Sequence, residues 1–168
     1  LLNMLHMFVN DFGEEFAPMI AVDSGNTVAA DDTNSLRYGM RTNGKSGFVF
    51  VNHYQRLTEL ADIENAVISV GNVEFPPIDV KGEVSFFMPF NMKMGDSVLE
   101  YATAQPLCKC GETYFFAEIP NIKAEYKFSK GSANIVTVPF ENAKYMRKLN
   151  GTVYIGGGCN LYEENGQI

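Results

Sequence analysis

The chain has 168 residues, 46% of them apolar, which fits a globular unit with a real core. Thirteen Lys and Arg stand against twenty Asp and Glu, a net charge of -7. That argues against binding nucleic acid or an anionic membrane, because either needs a basic patch.

The opening stretch, LLNMLHMF, has no initiator Met and no basic-then-apolar signal layout, so the chain is expected to be a piece of a longer one. Leu1, Leu5, Phe8, Phe12, Phe16 and Met19 recur every three or four residues and predict an amphipathic helix. Gly13 weakens that helix and Pro18 limits it. A stripe carrying three phenylalanines needs cover, and self-association through residues 1–19 is the expectation if nothing else supplies it. Residues 23–35, DSGNTVAADDTNS, read as a surface connector.

From there the pattern becomes strand-like. Leu36, Tyr38 and Met40 alternate with Arg37, Gly39 and Arg41, Asn43-Gly44 signals a hairpin, and 48–54 is the return strand. Further strands are predicted over 66–70, 83–90, 97–103, 113–119, 124–128 and 135–138. The VEFPPIDV segment reads as an edge or corner, since its prolines cannot donate to a ladder. Gly95-Asp96 and Cys110-Gly111-Glu112 read as turns. A short helix is predicted over 141–149, with Ala143, Met146 and Leu149 inward. TVYIGGG and NLYEENGQ then read as a terminal strand and the start of a hairpin. The predicted fold is mostly β, an antiparallel sandwich or barrel-like sheet behind an N-terminal helix.

Catalytic signatures are weak. Glu14-Glu15, Asp31-Asp32 and Glu163-Glu164 are adjacent pairs, and neighbours on a helix or strand do not face one another. No G-x-S-x-G occurs, and Gly156-Gly157-Gly158 lacks the dinucleotide-binding layout. Asn150-Gly151-Thr152 matches a glycosylation sequon, a pattern common by chance. Cys108, Cys110 and Cys159, with only His6 and His53 as histidines, form neither a disulfide framework nor a zinc set. No cofactor is expected.

One stretch stands out. The strand that opens Phe48-Val49-Phe50-Val51 runs into Asn52, His53, Tyr54, Gln55 and Arg56. By strand parity His53 and Gln55 follow Val49 and Val51, while Asn52 and Tyr54 follow Phe48 and Phe50. Both faces turn polar at the strand's end. Either a strand is leaving the core there, or a ring with amide and guanidinium donors meets a ligand or another domain.

LHMFVNDFGEEFAPM, LRYGMRTNGKSGFVFVNHYQR, FFMPFNMKMGDSVLEYATAQPLC and TYFFAEIP occur in that order. Together they resemble the region just downstream of the catalytic barrel in bacterial β-galactosidases of glycoside hydrolase family 35. The resemblance implies that residues 1–22 are the last barrel helix and that 23–168 form an all-β accessory domain. It implies a parent enzyme that removes terminal β-galactose with retention, in the bacterial cytoplasm or exported. That family's catalytic glutamates lie on the barrel, and no glutamate here matches them, so this chain is expected to be non-catalytic. The implied partners are the missing barrel, faced by Asn52–Arg56, and a galactoside-containing glycan. An autonomous carbohydrate-binding module using His53, Tyr54 and Arg56 is the alternative.

Overall fold

The computed structural model describes residues 2–25, 28–156, 161–162, 164 and 167. Helix α1 (Leu2–Phe16) leads into strands β1 (Ile20–Asp23), β2 (Tyr38–Thr42) and β3 (Gly47–His53). Four short strands follow: β4 (Ile63–Ala66), β5 (Ser69–Val70), β6 (Val73–Glu74) and β7 (Ile78–Val80). The long β8 (Val84–Met94) comes next, then β9 (Ser97–Ala102), β10 (Gln105–Cys110), β11 (Thr113–Ala117), β12 (Tyr126–Lys130) and β13 (Asn134–Val138). Helix α2 (Phe140–Ala143) precedes the ribbon of β14 (Arg147–Leu149) and β15 (Thr152–Tyr154).

The main sheet runs β1-β2-β3-β8-β9-β12, and every pair in it is antiparallel. It is open, with β1 and β12 as its edges. This corrects the expected sandwich or barrel-like closure. The physical reason lies in what covers the sheet. Val49, Val51, Met88 and Phe90 pack with Val73 and Val80 of the β5–β6 and β4–β7 ribbons and with Ile68 and Phe75 beside them. Phe48 and Phe87 pack with Phe8 and Phe12 of α1. A helix and two ribbons bury the sheet's apolar side chains without a second large sheet. The smaller β10-β11-β13 sheet is also not purely antiparallel, because β11 and β13 run parallel.

Strand β8 changes faces midway. Phe86, Met88 and Phe90 join the ribbon-side cluster, whereas Met92 and Met94 join the helix-side cluster, although all five share one parity. Asn91 between them has φ 48°, the left-handed region that asparagine tolerates better than most residues. The strand expected to end at Phe90 therefore continues to Met94.

The N-terminal stripe is covered by its own chain. The Phe8 ring lies 5.1 Å from Phe48 and 4.7 Å from Phe87, both edge-on, and Phe8 and Phe12 are buried. Burying one such ring contributes roughly 1.5–3 kcal/mol. The exposed phenylalanines on which the self-association expectation rests are thus absent. Leu5, expected in the same stripe, is not covered: with Leu2 and Val9 it forms an exposed flank of that face.

Other expectations change locally. The predicted 141–149 helix shrinks to Phe140–Ala143, and Arg147–Leu149 is a strand paired with β15. Asn150 and Gly151, read as part of a sequon, both take positive φ (48° and 75°) and form the turn between those strands. At the β2–β3 hairpin only Gly44 of the Asn-Gly pair has positive φ (86°), while Asn43 Oδ1 accepts from the backbone N–H groups of Lys45 and Ser46. Gly157, Gly158, Cys159 and Glu163 lie outside the described residues.

Candidate functional site

The five singled-out residues stand together at the end of β3 but do different things. His53 follows the parity of Val49 and Val51 and is buried, at 1% exposure. Its Nε2 has no hydrogen-bond partner among the described residues. An unsatisfied buried polar atom costs about 1–3 kcal/mol, so this position is unusual. Asn52 is structural: its Oδ1 accepts from Ser85 Oγ at 2.8 Å and its Nδ2 donates to Tyr54 O at 3.3 Å. Tyr54 stands just past the strand and is 47% exposed. Arg56 is exposed.

Gln55 anchors the loop. Its Nε2 donates to Ala30 O at 2.9 Å and to Thr58 Oγ1 at 3.2 Å. The segment under it is itself tied down, because Arg37 Nη2 donates to Asp32 O and Ala29 O. Asp32 Oδ1 accepts from the N–H groups of Asn34 and Ser35. Hydrogen bonds from the Ser35 side chain and then from Asn34 hold the Asp32 carboxyl below the usual carboxylate range. That carboxylate is therefore a turn former. Between Gln55 and Thr58 the chain turns tightly, and Leu57 sits at its tip with φ 61° and 95% exposure.

These elements enclose a cleft of about 600 Å³ whose lining includes His53, Tyr54, Gln55, Glu59, Asp62 and Glu83. The sequence reading missed the three carboxylates. Glu59 and Asp62 follow the turn, and Glu83 arrives with the start of β8, which pairs with the end of β3 at His53↔Val84. Only that pairing brings them together. Arg56 does not line the cleft.

Among the described residues no group of three or more His, Cys, Asp or Glu could hold a metal ion, and no helix is long and apolar enough to cross a membrane. The sequence matches no protein-family model, and comparison with the curated proteins and with the solved structures gives no match.

Proposed function

We propose that the chain is a non-catalytic β domain of a β-galactosidase-like glycoside hydrolase, bracing a separate catalytic barrel through α1. The observation that carries this reading is a helix whose apolar face is wider than its seat on this domain. Phe8 and Phe12 are built into this domain, while Leu2, Leu5 and Val9, which flank them on the same apolar face, stay 72%, 42% and 44% exposed. Such a helix suits a junction between two bodies. The resemblance of the α1 and β3 segments to the barrel exit and middle domain of family 35 enzymes supports the same assignment.

The encoding reading frame is expected to carry a barrel of roughly 300 residues, within the usual span for that fold. The purified chain should hydrolyse no chromogenic β-galactoside. A reading frame without the barrel, or turnover lost on mutating one of the chain's own carboxylates, overturns the proposal. Saturable galactose binding without turnover would point instead to a carbohydrate-binding module.

A further inference from the structure

The main sheet ends in two unlike edges. β12 is blunted, because Lys127 and Lys130 stand on it and its register on β9 shifts twice. β1 has none of these guards. Its residues Ile20, Ala21, Val22 and Asp23 include no lysine or proline and pair with β2 without a shift. All four are exposed, Ile20 at 66% and Val22 at 38%. Among the described residues no strand lies beyond it.

The ladder decides which backbone groups face outward. Asn43 N–H donates to Ser46 O and Asn52 N–H to Arg37 O, so the odd-numbered residues of β2 bond β3, and Met40 and Thr42 bond β1. Their partners Val22 and Ile20 therefore turn inward. Ala21 and Asp23 direct their N–H and C=O groups to the free edge. Met19 adds nothing to that row, since its N–H donates to Phe16 O and its C=O accepts from Arg41 Nε and Nη2.

An open edge alone does not say what covers it. This one complements itself in a two-fold antiparallel pair. An axis at Ile20 or Ala21 calls on the occupied groups of Met19. An axis at Asp23 sets two carboxylates directly opposite each other. With the axis at Val22, Ala21 opposes the partner's Asp23, and every outward group of the strand finds a bond. Val22 then meets the partner's Val22 as a closely spaced pair, with Ile20 diagonal to it. The charges match as well. Asp23 and Arg41 make no ion pair among the described residues. Ala21 lies opposite Arg41, so the partner's Asp23 shares a face with Arg41 across one alanine. Arg41 bonds Met19 O through Nε and Nη2, which leaves Nη1 to donate to that carboxylate.

We propose that β1 is a dimerisation edge. Two copies of this chain pair antiparallel through Ile20–Asp23 with Val22 on the two-fold axis, joining their main sheets into one. A strand pair four residues long is small beside a standard interface of roughly 1,600 Å². The dimer is therefore weak, with a Kd of about 0.1–1 mM. The contact is separate from the junction proposed for α1 and holds whichever way that reading falls.

Sedimentation equilibrium of the 168-residue chain tests it. The average mass should rise from 18.7 kDa toward twice that value between about 10 µM and 1 mM. Over the same range, hydrogen exchange at the Ala21 and Asp23 amides should slow, while the Ile20 and Val22 amides, bonded to β2, stay protected. Val22→Lys sets two ammonium groups on the axis, and Ala21→Pro removes an outward donor at an edge. Both should keep the melting temperature and lose the dimer. Leu5→Asp, on the exposed flank of α1, should keep the dimer. Under mild oxidation Val22→Cys should cross-link beyond the level given by the native cysteines, and Ala21→Cys should not, because only position 22 faces itself. A mass of 18.7 kDa at every concentration, or association undiminished in folded Val22→Lys or Ala21→Pro, overturns the proposal. So does slow exchange of Ala21 and Asp23 already at the lowest concentration, which would mean that the chain's own residues cover β1. Equal cross-linking at positions 21 and 22 overturns the register.

Discussion

Lys148 Nζ lies 2.6 Å from Asp11 Oδ1 and 2.7 Å from Oδ2, an ion pair that ties α1 to the β14–β15 ribbon across 137 positions of chain. Asp11 Oδ2 also accepts from Lys109 N–H in β10 at 2.8 Å. The side chains keep 24% (Lys148) and 10% (Asp11) exposure, so the pair is far drier than an ordinary surface bridge. One carboxylate holds three elements together.

Removing it should therefore cost more than a surface ion pair does. Asp11→Ala is expected to destabilise the fold by about 1–3 kcal/mol, because it strands both an ammonium and a backbone donor. Urea denaturation of Asp11→Ala, Lys148→Met and the double variant measures it. A coupling below about 0.3 kcal/mol would mean the two groups act independently.

The β2–β3 hairpin has two glycines with different demands. Gly44 sits at φ 86° in open space, so Gly44→Val should cost about 1 kcal/mol or more through backbone strain alone. Gly47 needs room instead, since a Cβ there would meet Arg41 O at 2.1 Å and the Phe90 ring at 2.8 Å. Gly47→Ala should cost more, about 2–4 kcal/mol, because neither a ladder carbonyl nor a buried ring can easily give way. Melting curves in which Gly44→Val is the worse variant would contradict this order.

The alkaline limb of stability should report on Cys108. Burial first, and then the nearby Asp11 carboxylate, pushes its thiol up from 9.0 to about 12. The folded state thus prefers the protonated thiol. The stabilisation is complete below the unfolded value of 9.0 and is lost as pH rises toward about 12, since only the unfolded chain releases the proton over that window. Burial also raises Tyr114 and Tyr126, so some slope should remain without the cysteine. Cys108→Ala should flatten the fall, whatever its effect at neutral pH. An unchanged slope would mean that the thiol is not excluded from water.

Local signals in the sequence carried much of this fold. The three-to-four spacing of Phe8 and Phe12 marked the buried side of α1, and strand parity placed His53 with Val49 and Val51. Contacts between distant segments were not legible. Nothing local says that Asn91 flips β8 to the other face, or that two ribbons make sheet closure unnecessary. Strand β10 was missed because QPLCKC shows no alternation and carries Pro106 next to a register shift. At the site, the polar tail of β3 was visible, but its acidic half depends on β3–β8 pairing.

Finally, the helix–sheet seam should separate the seated part of α1's apolar face from its exposed flank by energy. Phe8 meets Phe12, Phe16, Phe48 and Phe87 at centroid distances of 5.5, 5.5, 5.1 and 4.7 Å, and it is 1% exposed. Phe8→Ala removes four ring contacts and leaves a cavity that a packed sheet cannot collapse around. The expected cost is about 3–5 kcal/mol, a large share of the roughly 5–15 kcal/mol that holds a typical domain together. Phe8→Asp with Phe12→Asp should unfold the seam outright. On the uncovered flank of that face, Leu5→Ala should stay within about 0.5 kcal/mol in the isolated chain, because Leu5 is 42% exposed. Denaturant melts rank the two parts, and light scattering on the same samples reports association. A chain that is monomeric at low concentration and melts early in Phe8→Ala but normally in Leu5→Ala is the expected result. Equal costs for Phe8→Ala and Leu5→Ala would mean that α1 is not seated on the sheet through Phe8. It would also remove the half-covered apolar face on which the junction assignment stands.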